Sequence, residues 1–140
     1  MKKKMTACEI IQETYNYYAK DPERRSVIRN TGNCLYNYEG KHCAIGRCLS
    51  LKWRKQDIMF RGNTSNISDM VLKNDYAEIG REDLTLNDML MPRYRGHIDD
   101  LWEDIQNLHD NYRYWDMPNN RVTTDGHGRF ETMMRNWEGV

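Results

Sequence analysis

Asn33-Cys34-Leu35-Tyr36-Asn37-Tyr38-Glu39-Gly40-Lys41-His42-Cys43-Ala44-Ile45-Gly46-Arg47-Cys48-Leu49 is the stretch whose reading decides the fold. Three of the four cysteines fall in it, with a turn signal at Glu39-Gly40 and a short apolar run. Cys34 to Tyr38 alternates as a strand does, placing Cys34, Tyr36 and Tyr38 on one face, and Val27-Ile28 is the expected partner strand. Ala44 to Leu49 is too short to assign by period. A short helix starting near Cys43 is expected, with Gly46 letting a neighbouring element come close. The segment thus reads as strand, turn and helix packed on the core.

Its cysteines raise a metal question. Cys34, His42, Cys43 and Cys48 lie within fifteen residues, and thiolates with imidazole suit tetrahedral zinc. The spacing argues otherwise. No Cys-x2-Cys knuckle exists, His42 and Cys43 are adjacent, and on a helix Cys43 and Cys48 point about 140° apart. Free cysteine behaves as a small buried hydrophobe, so core thiols are expected, with neither metal nor cofactor. A thiol or zinc enzyme is the third-ranked reading. In it one cysteine is activated by His42, His97, His109 or His127, with Asp110 orienting the imidazole. No nucleophile elbow, phosphate loop or metalloprotease box accompanies these residues.

Toward the N-terminus, Thr6-x-x-Glu9 is a capping-box pattern. It predicts a helix from Ala7 to Lys20, with Ile11, Tyr15 and Tyr18 flanked by Ile10, Thr14 and Tyr17, stopped by Asp21-Pro22. Residues 1–5 are expected to be a flexible terminus. Toward the C-terminus, residues 52–66 read as a basic, turn-rich connection and the most mobile part of the chain. A short helix is expected at Ser68–Leu72, and another short turn is capped by Thr85-x-x-Asp88 and stopped at Met91-Pro92. Ile98, Leu101, Trp102, Ile105, Leu108, His109 and Tyr112 recur at helical spacing, with Asp99 and Asp100 in the first turn where the dipole favours them. Tyr114 to Pro118 closes that helix. A last helix opens at Thr123 or Thr124 and buries Phe130, Met133 or Met134, and Trp137. The fold class is α+β: a mainly helical single domain over 1–140 with a small two- or three-stranded antiparallel sheet.

At 140 residues the chain is long enough to bury a core without disulfide staples. Aromatics at 11% argue against disorder, and no run approaches the ~18 apolar residues of a membrane span. The lysine-rich start lacks the apolar run of a secretion signal, so a cytoplasmic location is expected. A net charge of zero hides an asymmetry: residues 1–61 hold 13 Lys+Arg against 6 Asp+Glu, and residues 62–140 hold 8 against 15. The halves therefore carry +7 and −7. Either they fold against each other, or the first half offers a basic surface to an anionic ligand or acidic partner.

The segments Cys34…Gly40, Cys43-Ala44-Ile45-Gly46-Arg47, Leu101…Gln106-x-Leu108-His109-Asp110…Trp115 and Thr123-Thr124-Asp125-Gly126…Phe130 resemble a group of small uncharacterised proteins of tailed bacteriophages and prophages. The resemblance spans most of residues 6–137 and carries no activity or catalytic residue with it. It implies a context, a virus-encoded protein in the cytoplasm of a bacterial host. Such proteins often act by binding, for example by inhibiting a host or defence factor. Cys48 and the basic 52–61 stretch fall outside the shared pattern. The expectation is a non-enzymatic protein that binds a host or defence protein or an anionic signalling nucleotide. Its contacts would come from Arg47, Arg54, Lys55 and Arg61, with Tyr36, Tyr38 or Trp53 stacking. The second reading is a nucleic-acid-binding regulator, because cations and rings mix here as in single-strand binders. Opposite charges on the halves and an exposed sheet edge also allow homo-oligomers.

Overall fold

Thr6 opens the first helix, α1 (Ala7–Lys20), with both halves of the capping box: its hydroxyl accepts from Glu9 N, and the Glu9 carboxylate accepts from Thr6 N. Such a cap contributes on the order of 1 kcal/mol. The computed structural model describes residues 4–27, 37–38, 41–54, 58–60, 70–72 and 85–140. α1 buries Ala7, Ile10, Ile11, Thr14 and Tyr18 along one face, and Tyr15 and Tyr17 flank it half-buried. Asp21 ends the helix and caps a 3₁₀ turn at Pro22–Arg24 through its carboxylate.

The decisive stretch folds as a hairpin followed by a single turn. Strands β1 (Asn37–Tyr38) and β2 (Lys41–His42) pair antiparallel, Tyr38 opposite Lys41, and the expected turn at Glu39-Gly40 lies outside the described residues. β1 pairs with β2; Val27 makes an isolated bridge, and the expected pairing of Val27-Ile28 with Cys34 to Tyr36 lies outside the described residues. The expected helix shrinks to a 3₁₀ turn at Gly46–Cys48. Cys43 sets it up: its carbonyl accepts from Arg47 N at 2.9 Å and its sulfur from Gly46 N at 3.3 Å. With so few residues a helix cannot propagate past its nucleus.

Two expectations in the middle of the chain are corrected. The 52–66 stretch is not merely turn-rich, for it contains the end of α2 (Leu51–Arg54) and strand β3 (Ile58–Phe60). The helix expected at Ser68–Leu72 is instead strand β4 (Met70–Leu72), which pairs antiparallel with β3, Met59 opposite Val71. Three apolar residues in a row have no period, so a partner strand decides between helix and strand.

From Thr85 onward the reading and the structure run close. Thr85 caps α3 (Leu86–Met89), and Asp99–Asp110 form α4, burying Leu101, Trp102, Ile105, Gln106, Leu108 and His109. The ends of the periodic set lie outside it: Ile98 is the N-cap and Tyr112 follows the helix, and both are exposed. What closes α4 is a 3₁₀ turn and then strand β5 (Trp115–Asp116), which pairs with β6 (Arg121–Val122). Thr123 caps α5 (Thr124–Asn136), which buries Phe130 and Met133 and half-buries Met134 and Trp137. Gly126 is required there, because a Cβ would come 2.4 Å from Tyr114 O and 2.6 Å from Val122 Cγ2.

The result is a mainly helical α+β fold in which α1, α4 and α5 share one core cluster with Cys43, Ala44, Ile45, Cys48 and Leu49. Strand pairing among the described residues is split into three two-stranded antiparallel ladders. No helix among the described residues is long and apolar enough to cross a membrane.

Candidate functional site

Two polar constructions flank the end of α1. The first is a closed knot at the C-terminus of α4. Arg25, 3% exposed, donates from Nε to His109 O at 2.8 Å and from Nη2 to Asp110 O at 3.5 Å, satisfying carbonyls that α4 leaves without intrahelical partners. Its guanidinium lies 5.5 Å from the Trp115 ring, and the Trp115 indole donates to Leu108 O. His109 is wholly buried; its Nε2 accepts from Ser26 N at 3.1 Å and its Nδ1 meets Asp110 Oδ1 at 2.7 Å. This assigns the neutral, Nδ1-protonated tautomer. Burial holds the His109 pKa below its ordinary value, against the pull of Asp110. Gln106 joins the knot to the decisive stretch, donating to Asp110 Oδ1 and accepting from Ile45 N. With both ring nitrogens engaged, His109 finishes the apolar stripe and holds a loop.

The second construction is partly covered, with Tyr17, Arg24 and Arg93 half-buried. Arg24 lies 4.6 Å over the Tyr17 ring and donates to Tyr17 O at 3.2 Å. Arg47 lies 5.3 Å from Tyr17 and 5.9 Å from Tyr94, and Arg93 lies 4.7 Å from Tyr94. Arg24, Tyr17, Arg47, Tyr94 and Arg93 thus form an alternating ladder drawn from the end of α1, the 3₁₀ turns at 22–24 and 46–48, and a further 3₁₀ turn at Pro92–Tyr94. Stacking on a ring uses the face of a guanidinium and leaves its N–H edge, the part that grips carboxylate or phosphate, pointing away.

One carboxylate sits in the ladder. Glu13 Oε1 accepts from Arg47 Nη1 at 2.8 Å and from the Tyr94 hydroxyl, while Arg47 Nη2 donates to Thr14 Oγ1 at 3.3 Å. Burial alone would raise the Glu13 pKa, but the Tyr94 hydroxyl and Arg47 outweigh it and hold the carboxyl below its usual range. Burial also pushes the Cys48 thiol up to about 11, against the nearby Arg47 charge. That thiol is a core group and a poor nucleophile. Among the described residues neither Arg24 nor Arg93 has a carboxylate partner, and Arg47 Nε is buried without an acceptor.

The residues named from sequence are scattered by comparison. Arg47 enters the ladder turned inward, its side chain 14% exposed. Trp53 packs half-buried on the core with Lys52 Nζ 5.0 Å from its ring, and Arg54 lies close enough to His42 to help hold that imidazole's pKa below its usual value, an effect dominated by burial. Tyr36, Lys55 and Arg61 lie outside the described residues, and Tyr38 is described only as the end of β1. Cys43 and Cys48 are buried, and among the described residues no three His, Cys, Asp or Glu side chains gather as metal ligands do. Sequence reading missed Glu13, Tyr17, Arg24, Arg93 and Tyr94. The only hints were the Arg24-Arg25 pair after a helix and the Arg93-Tyr94-Arg95 run. No family model, no curated protein and no solved structure matches the chain.

Proposed function

We propose that this is a non-enzymatic, phage-encoded binding protein that uses the arginine–tyrosine ladder to hold an anionic partner in the host cytoplasm. The partner is a signalling nucleotide or the acidic face of a host factor, and blocking anti-phage defence is the role such binding would serve. The phage context rests on the sequence resemblance alone. The observation that carries the binding reading is the ladder's imbalance among the described residues, three guanidiniums against one carboxylate with a donor of Arg47 unused. Rigid, stacked arginines lose little entropy on gripping an anion, so the face is prepared for one.

The test is equilibrium binding of a nucleotide panel, an acidic peptide and a single-stranded oligonucleotide at about 50 and 200 mM salt. Binding should weaken as salt rises and fall about tenfold or more in the Arg24→Ala/Arg93→Ala double variant. Affinity indifferent to both salt and the double variant would remove the ladder from the mechanism. Tightest binding to the oligonucleotide would make the protein a nucleic-acid-binding regulator instead.

A further inference from the structure

The seat at the centre of the ladder is occupied from within. Glu13 receives two donors on one oxygen, yet its side chain is 36% exposed, while Arg47 is largely covered and Tyr94 is fully buried. A buried donor without an acceptor, such as Arg47 Nε, is costly to leave so. A single carboxylate has not satisfied the site it fills.

Helical spacing puts Glu13 between two faces of α1. On one side Thr14 and Tyr17 face the ladder. On the other, an open groove of about 530 Å³ runs past Met5, Cys8, Gln12, Asn16 and Met134, with Glu13 and Glu9 also in its lining, the Glu9 carboxylate being held by Thr6 N at the start of the helix. Gln12 Nε2 donates to Asn16 Oδ1 at 2.8 Å, which leaves the Gln12 carbonyl and the Asn16 amide N–H to meet a ligand. Methionine walls with two amide groups suit a flat heteroaromatic ring carrying donors and acceptors on its edge.

We infer that Glu13 stands, in the free protein, where a ligand's terminal phosphate binds, and that the ligand is a nucleoside monophosphate whose base and sugar lie in the groove. The inference rests on the anion-binding reading above and narrows it. Charge selects the phosphate type. A phosphodiester carries one negative charge and would only exchange with the carboxylate it displaces. A phosphomonoester carries between about −1.5 and −2 and three terminal oxygens, enough for Arg47, the Tyr94 hydroxyl and Arg93, which already donates to that hydroxyl at 3.2 Å. Displaced, Glu13 swings toward solvent.

Binding of AMP, 3′,5′-cyclic AMP, adenosine and inorganic phosphate to the full chain tests this, with the variants Glu13→Gln and Gln12→Leu. AMP should bind about tenfold more tightly than the cyclic diester and than inorganic phosphate, and adenosine hardly at all. Glu13→Gln, which keeps the shape and the oxygen, should strengthen AMP binding about tenfold. Gln12→Leu, outside the ladder, should weaken AMP while leaving inorganic phosphate unchanged. Thermal unfolding of each variant confirms that it is folded. Equal affinity for AMP and the diester, or a Glu13→Gln protein that binds no better, overturns the role of Glu13. Inorganic phosphate as tight as AMP overturns the groove. If Arg24→Ala still weakens binding in those cases, the ladder reading stands alone. No binding of any of the four, with no salt-sensitive ligand in the wider panel, ends both.

Discussion

Arg24 and Arg25 are neighbours in sequence and opposites in structure. Arg25 goes inward, 3% exposed, with its donors on the carbonyls of His109 and Asp110 and its plane near Trp115. Arg24 goes outward, half-buried over Tyr17, with no carboxylate partner among the described residues. Both regions use arginine, an aromatic ring and an acid. They differ in saturation. In the knot each nitrogen of Arg25 meets an acceptor from another segment, Met117 Sδ included, so this arginine is an internal helix cap, and the Ser26 hydroxyl is the group left buried without a partner there among the described residues. In the ladder the acid is outnumbered and one donor is idle. Identical side-chain chemistry therefore becomes structure in one place and a recognition surface in the other, according to how completely the protein satisfies it.

The largest effect is expected at Arg25. Arg25→Leu should destabilise the protein by about 3 kcal/mol, because two buried carbonyls at the end of α4 lose their donor. Urea unfolding measures it, and a loss no larger than that of Arg24→Ala would erase the distinction. Next to the knot, Gly126→Ala should cost about 1–3 kcal/mol, since α5 must move off Tyr114 O. A variant as stable as the parent would mean that this approach is not tight.

His109 sharpens the contrast through pH. Its folded-state pKa is held below the ordinary 6.5, so the imidazole is neutral in both states above that value and its stabilising arrangement is complete there. As pH falls, the unfolded chain takes up the proton first, and stability is lost toward the folded value at up to about 1.4 kcal/mol per pH unit. His42, also lowered, adds to the loss in the same direction. His109→Gln, which offers Ser26 N an uncharged acceptor, should flatten the fall of the midpoint as pH drops through the ordinary histidine range relative to the parent. Equal slopes in the two proteins would count against the buried neutral histidine. The smallest effect belongs to the ladder. Arg24→Ala should change stability by only about 0.5–1 kcal/mol, the worth of a half-buried cation–π contact at the surface, while weakening ligand binding far more.

Much of the scaffold was legible because it rests on local rules. The Thr6-x-x-Glu9 box and the threonine before α5 announce caps, the acids opening α4 mark its first turn, and the periodic apolar residues between them name the core faces. Reading failed where the deciding partner is distant. Met70-Val71-Leu72 is a strand because Ile58-Met59-Phe60 lies beside it, and Cys43 to Leu49 stays a single turn because its hydrogen bonds are shared with Gln106 and Met91.

The candidate site was the least legible part, and Arg47 shows why. Its place beside the cysteines made it a visible cation, but its neighbours Glu13, Tyr17 and Tyr94 come from positions far along the chain. Local patterns and hydrophobic spacing determined the three long helices and their buried faces, since those depend on residues a few positions apart. Only the tertiary structure decided which arginine would be sealed and which left open, because saturation of a guanidinium depends on carbonyls, rings and acids delivered by other segments.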